Sequence, residues 1–196
     1  DYYAKDTSKK IRAVVKMRGE AGEHIASNPP YGYVKDPQNK KKWIVDEESA
    51  KVVRRIFDLC IVGKGPMQIA KILTADRVLT VTAYNARQKG WAMPDNLYRW
   101  CAKSVAGILE RPEYTGCTVN FKTYTKSLKF KKRMKNPKEN QRIFEDTQPA
   151  IIERGQWERV QALRANKRRP TKTGKTSIFS GLVYCADCGA KLYYCT

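Results

Sequence analysis

Cys185-Ala186-Asp187-Cys188-Gly189 is the segment whose residue types and spacing spell the most specific chemistry. Two thiolates on a tight knuckle can hold one edge of a metal ion, and the glycine after them permits the turn. Tetrahedral zinc asks for two further ligands. The sequence stops at Thr196 before a second Cys-x-x-Cys pair, and Cys195 stands at a poor spacing for a third ligand. The segment reads as the first half of a zinc ribbon. Cys185 and Cys188 are then zinc ligands in a complete protein, at a site that is incomplete here. The competing reading is a redox dithiol, which belongs in a strand-to-helix setting. Cys60, Cys101 and Cys117 sit in apolar or helical stretches and read as buried small hydrophobes. A disulfide framework would be denser, so a reducing cytosol is the expected compartment. His24 is the single histidine. It lies in a polar stretch with no nucleophile beside it and is expected to be solvated. No Ser-His-Asp set, carboxylate dyad or phosphate-cradling glycine loop stands out, so no catalytic residue is assigned.

The remaining chemistry is positive charge. Lys and Arg number 39 against 19 Asp and Glu, a formal net charge of +20 over 196 residues. Such a surface repels itself and calls for a compensating partner. A nucleic-acid backbone is the expected one, because each neutralised phosphate releases counterions. A heparin-like surface or an acidic membrane leaflet would answer the same charge. The hydrophobic fraction of 41% excludes a disordered tail. No run of about 18 apolar residues is present, so no membrane span is expected. No signal peptide is visible, and with no Met at the start the chain reads as a fragment.

The elements that must position these groups are mostly helical. Residues 1–26 read as a polar helix, the tail of a preceding domain or a segment lying along a partner. Asn28-Pro29-Pro30-Tyr31-Gly32-Tyr33 breaks it and reads as an extended linker with Tyr31 and Tyr33 packed. Asp46 is a candidate N-cap, with Glu47 and Glu48 in the first turn and Val52, Val53, Ile56, Leu59 and Cys60 at helical spacing. Gly63 and Gly65 stop this helix, and Pro66 opens another along Ile69, Ala70, Ile72 and Leu73. Leu79 to Asn96 reads as a polar loop of about twenty residues. A third helix is expected from Cys101 to Arg111, with Val105, Ile108 and Leu109 inward and Pro112 ending it. Cys117, Val119 and Phe121 alternate with Thr118, Asn120 and Lys122 as in a half-buried strand, for which Ile143-Phe144-Glu145 is the candidate partner. Ile151 and Ile152 lead into a helix with Trp157, Val160 and Leu163, and the basic run from Arg164 to Lys175 reads as a flexible linker.

The fold class is therefore mainly α with a small β element (α+β). Three helices in series with a Gly-Pro corner resemble a helix-turn-helix unit, though an ordinary helical bundle fits the same pattern. In the first case the third helix enters the major groove. Arg99, Lys103, Ser104 and Arg111 are its candidate DNA contacts. Lys122, Lys126, Lys129, Lys131, Lys132, Arg133 and Lys135 form a second, backbone-binding group.

Taken in order, these segments resemble a family. Pro30-Tyr31-Gly32-Tyr33, Val45-Asp46-Glu47-Glu48-Ser49-Ala50 and Val53-Arg54-Arg55-Ile56-Phe57 look like the opening of the recombinase domain of large serine recombinases. Gly65, Ile69-Ala70 and Leu73 resemble its next helix. Trp100-Cys101-Ala102-Lys103-Ser104-Val105, Ile108-Leu109 and Arg111-Pro112-Glu113-Tyr114-Thr115-Gly116 are similar to its most distinctive motif. Pro149-Ala150-Ile151-Ile152 with Trp157 and Val160-Gln161 resembles the segment leading to a zinc ribbon, and Phe179-Ser180-Gly181-Leu182-Val183-Tyr184-Cys185 with Cys188-Gly189 its first knuckle.

The resemblance, strongest to the large resolvases of mobilisable transposons, implies four regions. They are a linker-helix end (1–26), a DNA-binding recombinase domain (27–163), a basic linker (164–176) and a truncated zinc ribbon (177–196). It implies double-stranded DNA at attachment sites or transposon ends as partner, together with other recombinase subunits as dimers or tetramers. The setting would be a bacterial cytosol or nucleoid. The family's serine, which attacks DNA and forms a 5′-phosphoserine link, would lie in a domain before Asp1. Two other classes fit parts of the pattern: a sequence-specific transcriptional regulator and an RNA-binding or ribosomal zinc-ribbon protein.

Overall fold

The computed structural model describes residues 2–125, 132–165, 183–190 and 192. Its elements are α1 (Tyr2–Glu20), β1 (Tyr33–Lys35), β2 (Trp43–Val45), α2 (Glu47–Ile61), α3 (Pro66–Ala75), α4 (Val81–Lys89), α5 (Ala102–Leu109), β3 (Thr118–Asn120), β4 (Thr123–Thr125), β5 (Arg133–Lys135), β6 (Arg142–Phe144) and α6 (Arg154–Ala165). The fold is α+β, as the patterning predicts. The strands form antiparallel pairs, β1 with β2, β3 with β6 and β4 with β5.

The helices form where apolar residues recur every three or four positions. On α2 this puts Val53, Ile56, Phe57 and Cys60 on one buried face, with Glu47 and Glu48 in the first turn where the helix dipole favours them. Asp46 stands at the N-cap position, but its carboxylate does not cap. It accepts instead from the hydroxyls of Ser49 and Tyr84. Ile69, Ala70 and Leu73 of α3 and Val105, Ile108 and Leu109 of α5 complete the centre, and α3, α5 and α6 all pack on α2. Tyr31 and Tyr33 are buried as expected, but Tyr33 belongs to a short hairpin strand rather than a linker.

Four expectations need correction. The stretch from Leu79 to Asn96 is not a loop throughout, because α4 occupies its first half. Thr80 caps it by accepting from the Ala83 N–H at 3.3 Å, and Gly90 ends it in the left-handed conformation at φ 64°. The inward residues are Ala83, Tyr84 and Ala86, small or half-polar side chains that carry little hydrophobic contrast. Thr80→Ala should lower stability by about 1 kcal/mol, read as a shift of the urea midpoint at unchanged slope.

The second correction is the phase of β3. Thr118 and Asn120 face inward, each 2% exposed, while Val119 is only half-buried. The polar residues face in because they bind the end of α1 and the turn that follows it. Asn120 Nδ2 donates to the carbonyls of Gly19 at 3.0 Å and Glu23 at 2.9 Å. Buried amides are placed where such acceptors need satisfying. Phe121, at φ 58°, turns out of the strand and lays its ring on Gly19, where an added Cβ would lie 2.3 Å from the ring.

Third, α1 ends at Glu20 rather than near Ala26, and a turn at Gly22 follows. Fourth, α6 runs through Arg164, the expected start of the linker. Arg164 pairs with Glu110 at 2.8 Å instead of facing solvent. The remainder of the expected linker lies outside the described residues.

Candidate nucleic-acid interface

The floor of the α5 surface is set from beneath. Trp100 anchors the approach to the helix: its N–H donates to Thr74 Oγ1 and its indole N–H to the Val78 carbonyl, both at 3.0 Å. Val105, Ile108 and Leu109 then fix the helix's rotation by burial. Lys103, Ser104 and Gly107 are left on the outer side, continued by Arg111 just past its end, at helical intervals. Nothing lies within 4 Å of where a Gly107 side chain would begin. A surface of this kind can lie close against a flat or grooved partner. Gly107 is not singled out by the sequence reading, although its position three residues after Ser104 is the available signal.

Arg99, Lys103 and Arg111 are exposed, and none has a carboxylate within ion-pair distance among the described residues. Cys101, expected to be buried, is exposed at the N-cap of α5. Its thiol is held below the usual thiol value by the Ser104 hydroxyl 3.2 Å away and the backbone N–H groups of the first turn.

The second expected group divides. Lys122 is paired with the buried carboxylate of Glu113, so its charge serves an internal partner. Lys132, Arg133 and Lys135 are exposed, and also lack ion-pair partners among the described residues. Arg133 and Lys135 belong to the β4–β5 hairpin, in register opposite Thr125 and Thr123. Sequence reading misses this hairpin, because each strand is only three residues long, and one apolar or aromatic residue between two polar ones is too little to show a period of two. Lys126, Lys129 and Lys131 lie outside the described residues.

His24, expected to be solvated, is half-buried. Its ring stacks on Trp43 at 3.6 Å between centroids and 5° between planes, and Nδ1 lies 3.0 Å from Thr118 Oγ1. Desolvation lowers its pKa below the ordinary 6.5, against a smaller opposing pull from Glu113. The folded state therefore favours neutral His24. Its contribution to stability is full above about pH 6.5, declines as the unfolded chain takes up the proton, and levels off below the lowered folded value. Urea titrations from pH 7.5 down to 5.5 should show this decline, and His24→Gln should remove that part of it.

Cys185 and Cys188 sit on one tight turn. The Gly189 N–H donates to the Cys185 carbonyl at 3.0 Å, and the Cys185 N–H donates to the Ala190 carbonyl at 2.8 Å. The Cys185 thiol is held low by the backbone N–H groups of Cys188 and Asp187. Two thiols presented together fit one edge of a tetrahedral zinc. No group of three His, Cys, Asp or Glu side chains able to hold a metal occurs among the described residues, and Cys195 is not among them. No described helix is long and apolar enough to cross a membrane.

Residues 47–167, more than half of the chain, match the Recombinase family, and the chain belongs to that family. The uncharacterized protein YefB of Bacillus subtilis (strain 168) is 28% identical over 96 residues, which are 49% of this chain and 32% of YefB. The match thus spans about a third of the length of that curated relative. Among solved structures, it is similar to one described as "Crystal Structure of a LSR-DNA Complex" (TM-score 0.47, 18% identity, 92% of this chain and 47% of the other). It is also similar to "Sequence Requirements of the Listeria innocua prophage attP site" (TM-score 0.42, 21% identity, 92% and 62%).

Proposed function

We propose that this chain is the DNA-binding region of a site-specific serine recombinase, which holds attachment sites or transposon ends. The observation that carries the reading is the outer face of α5. Lys103, Ser104 and Gly107 lie there, with Arg111 following, on a helix whose rotation is fixed by its buried side and whose cations have no internal partner among the described residues. A helix held this way can keep its side chains in register with base edges in a major groove. The hairpin cations Lys132, Arg133 and Lys135 add contacts to the phosphate backbone.

In this reading the bond-breaking serine belongs to another domain of the full-length protein, and α1 joins that domain to the DNA-binding body. The whole protein would act in the bacterial cytosol or nucleoid as a dimer or tetramer on two duplexes. Cys185 and Cys188 would hold zinc there, with the other two ligands supplied by the rest of a ribbon. Zinc would contribute folding energy to that ribbon rather than chemistry on DNA.

Competition between mixed-sequence duplex DNA and duplex RNA of equal length tests the reading. DNA should be preferred, because α5 enters the wide major groove of B-form DNA and not the narrow one of A-form RNA. Preferred binding of RNA would favour a ribosomal or RNA-binding role. Denaturation in detergent after incubation with supercoiled DNA should yield no covalent adduct, since in this reading the serine that attacks the phosphodiester belongs to another domain.

A further inference from the structure

The segment between α4 and α5 exposes apolar side chains where a protein of this charge would ordinarily show polar ones. Trp91 is 60% exposed and Met93 47% exposed, and Pro94 follows. Both ends of the segment are held. Gly90 closes α4 in the left-handed conformation, and the Trp91 N–H returns to the Ala86 carbonyl at 2.9 Å. At the far end the Leu97 carbonyl accepts from Thr80 N–H at 2.8 Å, and Trp100 is buried. The tip is thus presented from a fixed root and runs directly into Arg99 and the first turn of α5, where Lys103 and Ser104 lie. Lys89 Nζ stands 4.5 Å from the centre of the Trp91 ring, so a cation accompanies the aromatic face.

We propose that Trp91 and Met93 form a second DNA-binding element, an apolar wedge that packs against the sugar and base edges of a duplex groove beside the site taken by α5. The proposal rests on the DNA-binding reading above and extends it to a surface with no phosphate or base-edge hydrogen-bonding role. Charge decides the occupant. An apolar tip flanked by Lys89 and Arg99, on a chain of net charge +20, suits a polyanion that also offers apolar surface. Duplex DNA has both, and Met and Pro are among the side chains that proteins insert between or beside base steps.

Fluorescence tests this directly. Of the four tryptophans, Trp43 and Trp100 are buried and Trp157 is partly buried, so Trp91 dominates what a neutral quencher such as acrylamide can reach. On saturation with a mixed-sequence duplex, confirmed by mobility shift, the acrylamide-quenchable emission should fall, and W91F should abolish that change. The double variant W91A/M93A should weaken duplex binding about tenfold, with the salt slope unchanged, because every phosphate interaction is kept. W91F should retain most of the affinity. Both side chains are exposed, so the variants should keep the parent's circular dichroism. Complex formation with Trp91 still open to acrylamide, or with W91A/M93A at parental affinity, overturns the wedge and leaves the DNA-binding reading standing. Failure of the parent chain to shift the duplex at low salt overturns both.

Discussion

Tyr114→Ala should destabilise the chain by about 3–5 kcal/mol, a large share of the roughly 5–15 kcal/mol that keeps an ordinary domain folded. Tyr114 is fully buried and ties together parts far apart in sequence. Its hydroxyl donates to the Tyr31 carbonyl at 2.8 Å, and its own carbonyl accepts from the N–H groups of Ile151 at 2.9 Å and Ile152 at 3.0 Å. The ring meets Phe57 of α2 edge-on at 6.1 Å and lies nearly parallel to Tyr33 of β1 at 6.2 Å. Truncation removes the ring from between α2 and β1 and leaves a cavity that neither can close alone. Tyr114→Phe keeps the ring and loses one buried hydrogen bond, so it should cost about 1–3 kcal/mol, because the Tyr31 carbonyl is left without its donor. Urea titrations of the two variants separate these terms. Equal losses from both would mean that the hydroxyl, and not the packing, dominates.

The same residues show which parts of the fold are legible in sequence. Helices α2, α3 and α5 can be read because Val53, Ile56, Ile69, Leu73, Val105 and Leu109 recur at 3.6-residue spacing, and burial is what that pattern reports. α4 is hidden because its inner face is alanine and tyrosine. In β3 the period of two is visible but its phase is inverted. The rule that the apolar set faces in fails where Asn120 and Thr118 have backbone and histidine partners waiting inside. Those partners come from the end of α1 and the turn after it, about a hundred residues away in sequence, and no local pattern announces them. His24 is misjudged for the same reason, since the Trp43 ring that desolvates it belongs to β2. The candidate DNA residues are legible as types but not as states. Lys103 and Lys122 look alike in sequence, yet only Lys122 has a buried carboxylate beside it, and Glu113 lies nine residues away.

Neutralising Lys132, Arg133 and Lys135 together should weaken binding to every duplex by a similar factor, about 10- to 100-fold at moderate salt, while Lys103→Ala should cost a selected site more than a scrambled one. The difference follows from how the two groups are held. Arg133 and Lys135 stand on a two-stranded hairpin neither of whose strands carries a buried side chain, and Lys132 immediately precedes it, so their register against base edges is not fixed by burial on those strands. They can follow phosphates, and removing each phosphate-bound cation should flatten the dependence of log affinity on log salt by about one unit. Lys103 and Ser104 lie on α5, where Val105, Ile108 and Leu109 are buried and the helix cannot rotate. Removing a hydrogen bond to a base there should cost about 1–3 kcal/mol on the selected site and much less on the scrambled duplex. Ser104→Ala additionally removes the hydroxyl that holds the Cys101 thiol low, so that thiol should react more slowly with an alkylating reagent near neutral pH. The site would first be selected from randomised duplexes with the parent chain, and both duplexes then titrated at several salt concentrations. If the hairpin triple variant and Lys103→Ala lose the same fraction of affinity on both duplexes, α5 does not read sequence, and the basic surface acts as one diffuse field.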